Sequence, residues 1–508
     1  MPIPLVNSIA SWFLKKRIHQ MELFIKYPHD VQKELLKDLL TKAKNTEFGK
    51  RFKFEEIDSY ETFRERVPIQ KYEDYQGVIE RSRRGETNIF WPTPIRWFAK
   101  SSGTTSAKSK FIPVSQDSLE DCHYAAGKDL LCIYLNNNPQ SQLFTGKSLR
   151  LGGSKEIYRE NGTSYGDLSA ILIDNMPFWA EFSSTPSNEV SLMHDWEYKM
   201  QAIVDETVKE NVTSLAGVPS WMLVLLNNVL ETKEKEELFE VWPNLEVYFH
   251  GGVSFQPYAS QYQKILPKEN FRYYEIYNAS EGFFACQDQN DTKDMLLMLD
   301  YGIFYEFIPM EEYGSEEEKA IPLSEVETGK NYAVVITTNA GLWRYKIGDT
   351  VRFTDTNPYR IRVSGRTKHH INVFGEELII ENAEAALKKV SLVTNCEIVD
   401  YTAAPVFMEG KEKGAHEWMI EFKTPPRDFD NFKYQLDRAL QEVNSDYEAK
   451  RYNNMTLRMP TVHMARKDLF YEWLKKHNKV GGQHKVPRLS NSRSYLQELL
   501  EMNSLRVS

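Results

Sequence analysis

The chain has 508 residues, more than one ordinary hydrophobic core organises, so two or three packed units are expected. Hydrophobic residues make up 41%, charged residues 27% and aromatic residues 13%, a composition with ample material for a core. A formal net charge of -9 argues against a general nucleic-acid binder, which would carry a basic excess.

At the N-terminus the basic cluster Lys15-Lys16-Arg17 follows the apolar part, the reverse of a secretory signal. Val6, Ile9, Ala10 and Phe13 share one helical face, which predicts a helix packed on the body, with a membrane-surface helix as the alternative. No apolar run approaches the roughly 20 residues that span a bilayer. The four cysteines, Cys122, Cys132, Cys286 and Cys396, form no C-x-x-C pair, which fits a reducing compartment and a cytoplasmic protein. Residues from about 5 to 90 read as polar helices, with Leu35, Leu36, Leu39 and Leu40 at helical spacing.

The stretch Ser101-Ser102-Gly103-Thr104-Thr105-Ser106-Ala107-Lys108-Ser109-Lys110 concentrates hydroxyls, a glycine and two lysines between apolar flanks. Successive N–H groups in such a turn form an anion-binding nest, and Lys108 and Lys110 add charge-assisted hydrogen bonds to phosphate. It is not a Walker pattern. Taken alone, the same composition suits a solvated surface loop.

From about residue 145, short apolar runs alternate with longer helical ones. Strands are predicted at 148–151, 212–216, 245–249 and 332–338, with helices at Trp196 to Lys209 and Trp221 to Leu230, the latter capped by Ser220. This alternation predicts an α/β body. Within it, Glu281 in Tyr277-Asn278-Ala279-Ser280-Glu281-Gly282 suits a hard cation such as Mg²⁺, or equally a helix cap. Asp349, on a predicted tight turn after Gly348, suits a ribose diol, or is an ordinary turn aspartate. Arg366, after Gly365, stands where the pattern resets; it suits a phosphate clamp at a joint, or is an exposed linker residue. Beyond it a helix is predicted from Glu376 to Val390, strands at Cys396 to Tyr401 and Trp418 to Phe422, and a helix from Phe432 to Val443. The expected division is 1–366 as a large domain and 367–508 as a small mobile α+β domain.

The order of Ser-Ser-Gly-Thr-Thr, Tyr-Asn-Ala-Ser-Glu-Gly, Lys-Ile-Gly-Asp and Ser-Gly-Arg before a smaller terminal domain resembles the adenylate-forming, firefly luciferase-like superfamily. More narrowly, the chain resembles the Gretchen Hagen acyl acid amido synthetases. That likeness rests on the loop with its Phe111-Ile112-Pro113-Val114 continuation, on Phe304-Tyr305-Glu306-Phe307-Ile308-Pro309, and on Gly482-Gln483-His484-Lys485-Val486-Pro487-Arg488. The chain departs from the family pattern at Ala107, at Ser109 and in the aromatic order of Phe304-Tyr305.

The resemblance implies an ATP- and Mg²⁺-dependent ligase that adenylates a carboxylic acid and passes the acyl group to an amine, expected to be an amino acid. A coenzyme A thioester ligase and a non-catalytic nucleotide-binding protein are the alternatives. Ser101, Ser102, Thr104 and Thr105 would contact ATP phosphates, beside Lys108 and Lys110. Tyr277, Asn278, Ala279, Ser280 and Glu281 would line the nucleotide pocket, with Gly252 near the adenine, Phe304 or Tyr305 flanking it and Asp349 on the ribose. Glu281, Arg366 and Lys485 would be catalytic, and Lys368 the hinge. An acid pocket is expected at His123, Tyr124, Val218 and Trp221, although Trp221 also suits plain core and His123 a satisfied polar site. No nucleic acid and no membrane span are expected, and the protein would be a monomer or weak homodimer.

Overall fold

The computed structural model describes residues 16–101, 110–151, 157–160, 162–193, 196–315, 318–366, 370–408, 412–452, 456–477 and 486–504. Helices open the described chain as the leucine spacing predicts. Pro28–Ala43 has proline in its first turn and buries Leu36, Leu39 and Leu40. Thr46 and Ser59 cap Glu47–Arg51 and Tyr60–Arg66 with their hydroxyls. The buried Gln32 pins the first of these helices to the body: its amide donates to the carbonyls of Leu299 and Ile303 and accepts from the Tyr305 N–H.

Among the described residues the largest sheet has 12 strands. Arg272–Ala279, Val247–Gly251, Val212–Gly217, Lys147–Arg150 and Ser184–Thr185 run parallel in that spatial order. On its other side Arg272–Ala279 pairs antiparallel with Gly282–Cys286, and the sheet continues antiparallel through Met295–Leu297, Tyr359–Arg366, Tyr345–Thr356, Asn331–Thr338, Ile303–Pro309 and Ile321–Pro322. A second sheet orders Lys110–Val114, Trp97–Ser101, Thr163–Gly166 and Tyr158–Glu160. Its first two strands are antiparallel with Ser101 opposite Lys110, so the hydroxyl-rich segment connects two neighbouring strand ends.

The predicted strands and helices occur with shifted ends. Val218 is the N-cap and Pro219 the first residue of Pro219–Lys233, so Ser220 lies inside the first turn and does not cap it. The helix expected from Glu376 is Ile380–Thr394. It starts late because Glu376, fully buried, accepts the Phe374 N–H at 2.7 Å and meets His416 Nε2 at 2.8 Å. A three-stranded sheet of Glu397–Val406, Ala415–Thr424 and Thr461–Ala465 follows, flanked by helices that include Phe429–Val443. The apolar residues of this segment, among them Phe374, Leu387 and Leu436, pack into one core with those of the parallel strands, such as Leu149, Leu215 and Tyr248. No helix among the described residues is long and apolar enough to cross a membrane. The N-terminal face of Val6, Ile9, Ala10 and Phe13 lies outside the described residues.

Candidate active site

In open parallel sheets, ligands bind outside the carboxyl ends of the strands, where the strand order reverses. Here those ends border a cavity of about 590 Å³. Its floor passes close under the sheet because Gly251 and Gly252 leave room: a β-carbon on Gly251 would stand 2.5 Å from the Ile276 carbonyl oxygen, and Gly252 has a φ of +82°. Asn278, Ala279 and Ser280 line one end of the cavity. Ser280 and Glu281 form the two-residue turn between Arg272–Ala279 and Gly282–Cys286.

Glu281 lies in a charged cluster assembled from distant parts of the sequence. Its carboxyl is pushed up to about 7, chiefly by removal from water; Lys110 and Arg366 oppose the rise and Asp349 adds to it. Lys110 has its ammonium lowered by the same loss of solvent, with Glu281 the strongest charge acting against that shift. Asp349 accepts from the Tyr277 hydroxyl at 2.8 Å and from Arg366 Nε at 2.9 Å, and Arg366 also donates to Glu377 at 3.0 Å. Burial works against the Arg366 charge, yet Glu377, Asp349 and Glu281 together hold its acidity below that of a free guanidinium.

The sequence reading puts Asp349 on a tight turn, and the structure corrects this. Asp349 lies within Tyr345–Thr356 on a bulge, where Ile347, Gly348 and Asp349 face the single Val334 of the neighbouring strand. Gly348, with a φ of +91°, permits the bulge, which aims Asp349 at Tyr277 and Arg366. A second correction concerns Phe304 and Tyr305. Phe304 packs on Tyr60 and Phe63 and Tyr305 on Phe284 and Phe307, leaving 5% and 1% of their surfaces exposed. Neither has a face free to stack on a base. Glu306, the next residue along the strand, is fully buried and pairs with Arg344 at 2.7 Å.

The four residues expected in the acid pocket, His123, Tyr124, Val218 and Trp221, all line the cavity. Tyr124 donates its hydroxyl to the Leu172 carbonyl at 3.0 Å. Sequence reasoning missed Lys128, Arg150 and Lys450, which also line it. Lys450, from Ser445–Arg451, stands 4.4 Å above the Trp221 ring and so brings the C-terminal segment to the cavity wall. No local motif marks these three, because the chain's folding alone brings them together. Ser102, Thr104, Thr105, Lys108, Lys368 and Lys485 lie outside the described residues, as does the side chain of Ser101.

Burial pushes His123 down to about 4, and does the same to His250, on the strand Val247–Gly251, down to about 3. Both imidazoles are therefore neutral at pH 7, and the pocket histidine contributes no charge. Unfolded histidines protonate near pH 6.5, so the unfolded chain binds more protons below that pH and stability falls with pH from about 6.5 toward 4 and 3. His250→Gln is expected to make that fall shallower in denaturant titrations between pH 7 and pH 5. An unchanged slope would mean that His250 is not held neutral.

Among the described residues no group of three or more His, Cys, Asp or Glu side chains is arranged to hold a metal ion. Of the cluster's carboxylates, Asp349 and Glu377 each accept from Arg366, and Glu281, under the charges of Lys110 and Arg366, is the one whose chemistry fits Mg²⁺ carried by phosphate oxygens.

Three family models match in chain order: the GH3 family N-terminal domain over residues 17–271, the central domain over 296–366 and the C-terminal domain over 381–494. The chain belongs to the GH3 family. A jasmonoyl-L-amino acid synthetase, GH3.5 of Oryza sativa subsp. japonica, is 25% identical over 96% of this chain and 97% of its own. An indole-3-acetic acid-amido synthetase of Arabidopsis thaliana, GH3.2, is 25% identical over 69% of this chain and 76% of its own. A 4-substituted benzoates-glutamate ligase of Arabidopsis thaliana, GH3.12, is 22% identical over 92% and 94%. Among solved structures, GH3.15 acyl acid amido synthetase superposes with a TM-score of 0.61 at 18% identity, covering 96% of this chain and 95% of that one. A 2-hydroxyisobutyryl-CoA ligase superposes with a TM-score of 0.58 at 13% identity, covering 94% and 92%. This GH3 protein thus shares with these two structures a mixed α/β fold with a large N-terminal body and a C-terminal unit.

Proposed function

We propose that this protein is an ATP-dependent acyl acid amido synthetase, which joins a carboxylic acid to the amine of an amino acid through an acyl adenylate. The observation that carries the reading is the coupling of Glu281, Asp349, Arg366 and Lys110 in one charged cluster beside an apolar cavity. Membership of a family whose relatives carry out such ligations supports it.

In this reading an oxygen of the acid attacks the α-phosphorus of ATP and the bond to pyrophosphate breaks. The amine nitrogen then attacks the acyl carbon and loses a proton as AMP departs with the bonding electrons. The protein supplies alignment and fixed charge, without a covalent nucleophile. Asp349, held by Tyr277 and Arg366, presents its remaining acceptor capacity to the ribose hydroxyls. Lys110 and Arg366 offset the phosphate charge, together with the loop hydroxyls of Ser101, Ser102, Thr104 and Thr105 and with Lys108. Mg²⁺ bound with ATP would neutralise charge on the departing pyrophosphate, and Glu281 is the carboxylate to hold it. His123, Tyr124, Val218 and Trp221 would enclose the acyl group.

The domain division at residue 366, a hinge at Lys368 and delivery of Lys485 by the smaller unit belong to the same proposal. So does a cytoplasmic location, which four free, buried cysteines support. The test is acid-dependent ATP–pyrophosphate exchange over aryl, indolyl and fatty acids, followed by product analysis with amino acids and with coenzyme A. Exchange with an amide product is expected. A thioester product would reassign the second step, and ATP binding with no acid-dependent exchange would overturn the enzyme reading.

A further inference from the structure

The lining of the acid-pocket cavity includes charged side chains that the two-step reaction does not use. Arg150 closes the strand Lys147–Arg150 opposite Ala216 and lines the cavity. Its guanidinium donates to Met176 Sδ, a weak acceptor, and to the Ala180 carbonyl at 3.3 Å. Neither partner carries charge. Other enclosed arginines of this protein are matched: Arg344 with Glu306 at 2.7 Å, Arg451 with Asp437 at 2.5 Å, Arg17 with Asp129 at 2.6 Å and Arg366 with Asp349 at 2.9 Å. Burial pushes Arg150 down to about 10, and the leading charge opposing that shift is Glu181, exposed on Phe178–Phe182. A guanidinium removed from water is costly unless an anion completes it.

The rest of the wall points the same way. Among the described residues its charged side chains are Lys128, Arg150, Lys450 and Asp167, and His123 is neutral. In the sheet, the strand ending at Ala279, next to the nucleotide cluster, is separated from the Arg150 strand by the strands ending at Gly251 and Gly217. Three inter-strand steps make roughly 14 Å, of which a guanidinium side chain spans part. An acid reacting at the Ser280 end would therefore extend its far end toward Arg150.

We propose that the cavity selects an acid bearing a second carboxylate remote from the reacting one, and that Arg150 binds this second carboxylate as the specificity-determining residue. This rests on the amido synthetase reading and names its substrate class. The planar fork of arginine matches a carboxylate in two parallel hydrogen bonds, and an acid lacking that group leaves the fork unpaired.

The experiment compares suberate with octanoate and terephthalate with benzoate in ATP–pyrophosphate exchange, using the full chain, Arg150→Met and Arg150→Lys. Calorimetric binding of the same acids and the melting temperature of each variant are measured in parallel. The wild-type protein is expected to favour the diacid of each pair in kcat/KM by about 100-fold, Arg150→Met to erase that preference, and Arg150→Lys to keep part of it. A wild-type preference for the monoacids, or an equal loss for both members of each pair in Arg150→Met, overturns the proposal. A preference that survives in Arg150→Met, with a raised KM for the acceptor amino acid instead, assigns Arg150 to the acceptor's carboxylate and overturns the acyl assignment. Should no acid support exchange, the amido synthetase reading fails and calorimetry decides the Arg150 site: diacid binding lost in Arg150→Met upholds it, and absence of diacid binding to the wild type overturns it. If Arg150→Met does not fold, an Arg150→Lys preference equal to that of wild type overturns it and a reduced one upholds it.

Discussion

Replacing Asp349 with alanine is expected to lower kcat/KM for acid-dependent ATP–pyrophosphate exchange by about 100- to 1,000-fold, the scale for truncating one partner of a buried hydrogen-bonded charge pair at a binding site. The physical reason lies in what this carboxylate holds. It accepts from the buried Tyr277 hydroxyl and from Arg366 Nε, so its removal leaves both donors without their acceptor and frees Arg366 to turn wholly to Glu377. It also takes a negative charge from beside Glu281, whose carboxyl then ionises more readily. Asp349→Asn keeps the shape and part of the hydrogen bonding, and its loss of exchange should be intermediate. Steady-state exchange over an ATP concentration series, with melting temperatures as the control for folding, measures the effect. Wild-type exchange in Asp349→Ala would remove this residue from the nucleotide site.

Glu306→Ala is expected to destabilise the protein by about 3–5 kcal/mol, because it strands a buried guanidinium. Glu306 accepts from Arg344 through both oxygens and from the Tyr60 hydroxyl at 2.9 Å, while Arg344 Nη1 donates to the carbonyls of Arg64 and Val67. The pair thereby fastens the helix Tyr60–Arg66 to the antiparallel half of the sheet. Replacing both partners by apolar residues of similar size, Glu306→Leu with Arg344→Met, should recover much of the loss, since no charge is then left unpaired. Urea denaturation followed by tryptophan fluorescence reads the difference, with the first unfolding transition as the comparison in a protein of this size. A double variant no more stable than Glu306→Ala would show that packing, and not the stranded charge, dominates.

The element pattern was largely legible because it is local. Strands such as Val212–Gly217 and helices such as Pro219–Lys233 announce themselves by periodicity and by proline or glycine at their ends. Where a boundary was misread, a tertiary partner was the cause: Glu376 is absorbed by Phe374 and His416, which delays the helix by a turn. The motif-bearing residues were legible too, since Glu281, Asp349 and Arg366 stand in short patterns that resemble a known family.

By itself the sequence determined the alternating strands and helices, the chemical types available for phosphate and cation binding, and their order along the chain. Only the tertiary structure decided that Phe304 and Tyr305 are core, that a bulge aims Asp349, and that Arg150 and Lys450 share one cavity wall. The division follows from range. Backbone preference and periodicity act over a few residues, whereas burial and charge pairing depend on neighbours hundreds of positions away, as when Arg17 meets Asp300.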